Sequence, residues 1–121
     1  MIVAGFGFRA AATLESLQDA LNATETRDIA ALATPIDKAQ ADAFQALART
    51  LSLPVIEVSA HDMQSVETKT NSDKVRNMRG TGSVAEACAI AAAGGDATLQ
   101  GPRMVSQDRL ATCAIAIGAH R

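Results

Sequence analysis

The residues best suited to chemistry in this chain gather around one glycine-rich turn, Gly80-Thr81-Gly82-Ser83-Val84-Ala85-Glu86-Ala87. Two glycines let a backbone adopt positive φ and approach a ligand closely, and Ser83 with Glu86 three residues on has the spacing of an S-x-x-E capping box. A helix is therefore predicted to begin here, its first amides aimed outward with about half a positive charge behind them. Lys69, Lys74, Arg76 and Arg79 lie just upstream, offset locally by Glu67 and Asp73. A basic segment beside such a turn suits a phosphate or a carboxylate. The same residues also fit a plainer description, a tight loop with solvated cations, because G-x-G-S falls short of a full phosphate-loop signature.

Other positions compete for a role. Gly5-Phe6-Gly7-Phe8-Arg9-Ala10 is formally the G-x-G-x-x-A dinucleotide fingerprint. That fingerprint needs a helix starting inside the motif and an acidic residue at the tip of the next strand. Here the capping signal is Thr13, and Ala31-Leu32-Ala33-Thr34-Pro35 ends without a carboxylate, so a dinucleotide is not expected. Lys38 follows Pro35 in a loop at a strand's carboxyl end, where open α/β sheets place their ligands. It is either a solvated loop residue or part of a binding rim. His61 and Asp62 fall just past a third strand, as helix-start residues or as an acid–base pair. Cys88 and Cys113 belong to no C-x-x-C pair and are read as small buried hydrophobes. With only His61 and His120 to add, no metal site is expected.

The elements that must position these groups follow from periodicity. Ile2 to Phe8 reads as a strand and the loop leaving it. Leu14, Leu17 and Leu21 mark one face of a helix over 14–23. Asp28 to Ala33 forms the second strand, broken by Pro35, and Phe44, Leu47, Ala48 and Leu51 define a helix from about Ala39. Pro54 to Ser59 is a third strand, with Ser59 capping the turn that carries His61. Residues 65–79 read as a loop and a short helix from Ser72. Val84 to Ala93 is the clearest helix, stopped by Gly94-Gly95. Ala97–Leu99 and Leu110–Ile117 complete the set as strands, with a loop carrying Arg103 and Arg109 between them. The expected architecture is α/β: a single three-layer α/β/α domain over 1–121, with a mixed, mostly parallel sheet of about five strands.

Composition narrows the function classes. The 121 residues suit one domain, and the net charge of -2 with neither tryptophan nor tyrosine argues against nucleic acid as a partner. The chain opens without a basic, apolar leader, and its longest apolar run, Leu110 to Ala119, is half the roughly 20 residues needed to cross a bilayer. The expectation is a cytoplasmic protein with no membrane partner.

Five pieces in order resemble one family: Gly5-Phe6-Gly7-Phe8-Arg9, Asp37-Lys38 before an Ala/Leu-rich helix, Leu53-Pro54-Val55 before Ser59-Ala60, the turn from Gly80 to Ala87, and Ala111-Thr112-Cys113-Ala114-Ile115-Ala116. Together they resemble the CobE / CbiG C-terminal domain family of cobalamin biosynthesis. Relatives often carry Cys-Arg-Lys/Arg-Gly-Thr after the first glycine pair; Phe8-Arg9-Ala10-Ala11-Ala12-Thr13 keeps only the arginine, and Arg103 stands where a late-loop lysine is common. The resemblance implies a polycarboxylated tetrapyrrole or corrin intermediate as partner, contacts with other cobalamin-pathway enzymes, and no cofactor. The implied ligand rim is Gly5, Gly7, Arg9, Lys38, Arg79, Gly80, Thr81, Gly82, Ser83 and Arg103, with Phe6, Phe8 and Met104 covering the ring. The alternative it implies is a hydrolase that opens a precorrin δ-lactone and releases a two-carbon unit, with His61 and Asp62 as catalytic candidates.

Overall fold

In the segment Ile2-Val3-Ala4-Gly5-Phe6-Gly7-Phe8, side chains alternate between the two faces of one strand, β1 (Ile2–Phe8). Both glycines therefore lie within the strand, and the expected loop starts only at Arg9. The computed structural model describes residues 1–63, 81–94, 97–100 and 103–118. β1 pairs in parallel with β2 (Ala31–Pro35), and β2 in parallel with β3 (Val55–Val58). On its other side β1 runs antiparallel to β6 (Ala111–Ile117) along its whole length, from Ile2↔Ile117 to Phe8↔Ala111. β4 (Thr98–Leu99) and β5 (Met104–Val105) both pair antiparallel with β6. The order is β3-β2-β1-β6-β4, with β5 beside the first half of β6.

Helices cover both faces, as expected of an α/β/α architecture. α1 (Leu14–Ala23) and α2 (Asp42–Leu51) bury Leu17, Ala20, Phe44 and Leu47 against Ala4, Phe6, Phe8, Cys113 and Ile115. α3 (Thr81–Ala93) lies on the opposite face, where Cys88 and Ala89 meet Val3, Ala33 and Ala116. α1 matches its expected limits: Thr13 caps it, its Oγ1 accepting from the Ser16 amide at 3.2 Å while Ser16 Oγ accepts from the Thr13 amide at 3.1 Å.

Several boundaries differ from expectation for physical reasons. β2 starts at Ala31 rather than Asp28, whose φ of 63° is left-handed and incompatible with a strand. A single 3-10 turn over Ile36–Lys38 delays α2 to Asp42. α3 starts at Thr81, so Ser83 is a first-turn residue and Glu86, the sixth residue, is buried at 3 % exposure. β5 was hidden in the expected 101–109 loop.

α3 approaches β1 closely because neither carries bulk at the crossing. A Cβ placed on Gly5 would sit 2.5 Å from the Ala89 amide nitrogen and nearer still to the Ala85 carbonyl oxygen. Gly94, with φ of 121° and its amide donating to Ile90 O at 2.9 Å, ends the helix as predicted. Both cysteines are packing residues. Burial, with Asp37 a lesser cause, pushes the Cys88 thiol up to about 12, and burial pushes Cys113 up further. Neither is a nucleophile in this state.

Candidate anion-binding site

The site lies at the carboxyl end of β1, beside β6 and β5, and strand register explains its composition. Residues directly opposite one another in an antiparallel pair share a face. Gly7 faces Thr112, and Thr112 faces Val105, so these three lie on one face. By the same alternation it is the face of Gly5, which α3 covers. Beyond Gly7 and Thr112 the loops carry Arg9 and Arg109, whereas Arg103 precedes β5 at the level of Ala114; the three arginines line one cavity of about 260 Å³ with Gly7, Phe8, Val105, Leu110, Ala111 and Thr112. The small residues at 7 and 112 leave the floor open. All three arginines are exposed, and among the described residues none has a carboxylate partner.

Local structure holds the arginines in place. The Arg9 amide donates to Leu110 O at 2.9 Å, extending the β1–β6 ladder by one step. The β5–β6 hairpin is fastened to α1 by Asp108, which accepts from Ser106 Oγ and Ser16 Oγ, each at 2.5 Å, and from the Leu110 amide at 3.0 Å. Asp19 adds a second tie, accepting from the Gln107 amide at 2.5 Å. Arg109 takes φ of 61° in this turn, and its amide donates to Ser106 O at 2.9 Å.

The Ser106 hydroxyl first, then Ser16 and the Leu110 amide, hold the Asp108 carboxyl below its ordinary range. A carboxylate with a depressed folded pKa stabilises the fold above its unfolded pKa, about 3.9, and that stabilisation is lost as pH falls through the lower folded value. Asp108→Asn should therefore unfold at lower urea than wild type at pH 7. Below about pH 4 the two midpoints should converge as the wild-type carboxyl protonates. A constant gap from pH 7 to pH 2 would show that Asp108 does not act through its charge.

Lys38 occupies the next position along the edge, half-buried, its Nζ 5.5 Å from the centre of the Phe8 ring. Phe8 in turn stacks on Phe44, with ring centres 5.8 Å apart. With strands about 4.8 Å apart, the distance from Lys38 after β2 across β1 and β6 to β5 is roughly 14 Å, with Arg103 set inward of the edge. α3 contributes direction. Ala85 and Ala89 lie over Gly5, and Ala93 meets Gly118 at the other end of the sheet, so the helix runs antiparallel to β1. At 1.5 Å per residue its first residue, Thr81, lies about 6 Å beyond Ala85, level with Gly7.

The structure thus brings together Gly7, Arg9 and Arg103, with Lys38 beside them and the α3 N-terminus at the same edge. Thr81, Gly82 and Ser83 form the first turn of that helix. Arg79 and Gly80 lie outside the described residues. Gly5 is a correction: it is buried beneath α3, and its missing side chain serves helix packing rather than a ligand. Phe6 is another, fully buried against Phe44 and unable to cover a ring; Phe8, at 9 % exposure, faces the same core and offers only an edge to the cavity. His61 and Asp62 are exposed just past β3, in a turn where the Asp62 amide donates to Ser59 Oγ at 3.0 Å, as the capping signal predicted. Arg109 was overlooked as a site residue; its place became visible only once β6 was paired with β1.

The mixed α/β/α fold has known counterparts. The chain belongs to the family described as Cobalamin synthesis G C-terminus, which matches residues 2–116. Among solved structures it is similar to the cobalamin biosynthesis protein chiG from Agrobacterium tumefaciens, with 33% identity, a TM-score of 0.80 and coverage of 99% of this chain and 100% of that one. It is also similar to CobE, a protein from the cobalamin (vitamin B12) biosynthetic pathway, with 30% identity, a TM-score of 0.75 and coverage of 96% and 89%. No curated protein matched. Among the described residues no helix is long and apolar enough to cross a membrane.

Proposed function

We propose that this protein binds a polycarboxylated tetrapyrrole intermediate of cobalamin biosynthesis along the cationic sheet edge. The observation that carries the reading is the convergence of Arg9, Arg103 and Arg109 on one cavity, with Lys38 one strand away. A flat macrocycle fringed with acids needs several donors spaced along a rim, and guanidinium–carboxylate pairs are the strongest such contacts among side chains. The two similar structures are both of cobalamin-biosynthesis proteins, which supports the ligand class.

Titration of the purified protein with hydrogenobyrinic acid tests the reading. The expected result is a shift of the pigment's absorption spectrum and pigment retained through gel filtration, with Arg9→Ala weakening retention about tenfold, the loss expected for one charged hydrogen-bond donor. No spectral shift and no retained pigment would overturn it.

A further inference from the structure

The cavity of about 260 Å³ is smaller than the roughly 300–1,000 Å³ that holds a drug-sized ligand, so it cannot take a macrocycle. It can take one side arm of it. Resting on the reading above, we propose that this notch is a subsite for a single free carboxylate arm, gripped by Arg9, Arg103 and Arg109, and that it selects an acid arm over the corresponding amide.

The chemistry of the lining supports the selection. A guanidinium offers donors only, in a planar fork that matches the two oxygens of a carboxylate. A primary amide carries no charge and brings an NH₂ of its own, which would face donors. Three cations on one small cavity repel one another until an anion arrives, and among the described residues no carboxylate supplies that charge. Asp108 is adjacent in sequence to Arg109, yet its oxygens are taken by two serine hydroxyls and the Leu110 amide. The turn thus holds its own acid toward α1. The floor of Gly7 and Thr112 gives an arm room to enter, and the loops carrying Arg9 and Arg109 are joined by the Arg9–Leu110 hydrogen bond, so two of the three cations move as a unit.

Two probes test this on the full chain. With ¹⁵N-labelled protein at constant ionic strength, glutarate should shift the backbone amides of Arg9, Arg109 and Thr112, and glutaramide at equal concentration should not. Uroporphyrin, a tetrapyrrole whose arms are all acids, should bind about tenfold more weakly to Arg103→Ala and to Arg109→Ala. Arg49→Ala, which removes the same charge from the far end of α2, should change neither measurement. Equal shifts from glutarate and glutaramide, or glutarate shifts that survive both arginine substitutions, would overturn the subsite. If uroporphyrin is held equally by wild type, Arg103→Ala and Arg109→Ala, the tetrapyrrole reading stands and the subsite falls. If glutarate binds with the stated arginine dependence while no tetrapyrrole is retained, the subsite stands and the tetrapyrrole reading falls.

Discussion

Gly5→Ala should lower the melting temperature by about 10 °C, one of the two largest effects expected of any single substitution. The added methyl would press on the Ala85 carbonyl oxygen and sit 2.5 Å from the Ala89 nitrogen, both of them helix backbone that no rotamer change can move aside. Overpacking a core costs about 1–3 kcal/mol when side chains can adjust; here α3 as a whole must lift from β1, which puts the cost at about 3 kcal/mol. For a domain of this size that corresponds to about 10 °C. Thermal unfolding followed by circular dichroism is the measurement. A variant melting within about 2 °C of wild type, well inside that expectation, would mean that α3 does not rest on Gly5. The adjacent glycine gives a contrast: Gly7→Ala narrows the notch floor, so its larger effect should be on anion binding.

Phe44→Ala should cost about 3–5 kcal/mol, the range for truncating a buried aromatic. Phe44 is fully buried, packed edge-on against Phe6 at 5.7 Å between ring centres and stacked on Phe8 at 5.8 Å. The loss should reach the proposed binding edge, since the Lys38 amine lies over the Phe8 ring. Urea unfolding checks the first effect. Phe44→Leu, which keeps most of the volume, should cost less than half as much. Equal losses from the two substitutions would show that cavity volume is not what makes Phe44 important.

What could be read from the sequence divides by the range of the interaction that decides it. α1 was legible to the residue because both of its signals are local: leucines at 14, 17 and 21, and Thr13 with Ser16 within one turn. The stop at Gly94 was legible for the same reason. The start of α3 was not. Ser83 and Glu86 have capping-box spacing, yet the helix already includes Thr81, two residues ahead of the serine, so the local spacing did not mark its first residue. β5 is only two residues long and exists by pairing with Thr112 and Cys113, which no local pattern encodes. Gly5 and Gly7 looked like one motif, but strand alternation placed both on the α3 face, one under the helix and one level with its first residue. Arg9, Lys38 and Arg103 were legible as cations near strand ends, whereas Arg109 needed the β1–β6 register to reveal that it stands beside Arg9.

The pairing of β1 with β6 also shapes how the chain reaches this structure. Ile2 and Ile117 are partners, and Gly118 donates to Met1 O at 2.8 Å, so the middle of the sheet joins segments more than a hundred positions apart. Closing so long a loop costs entropy before any contact repays it, which makes this step slow. On the ribosome, β1, β2 and β3 emerge first as a half-sheet whose innermost strand still has an open hydrogen-bonding edge. Arg9 and Arg109 come together only when β6 fills that gap, so the proposed notch is assembled after the parallel half of the sheet.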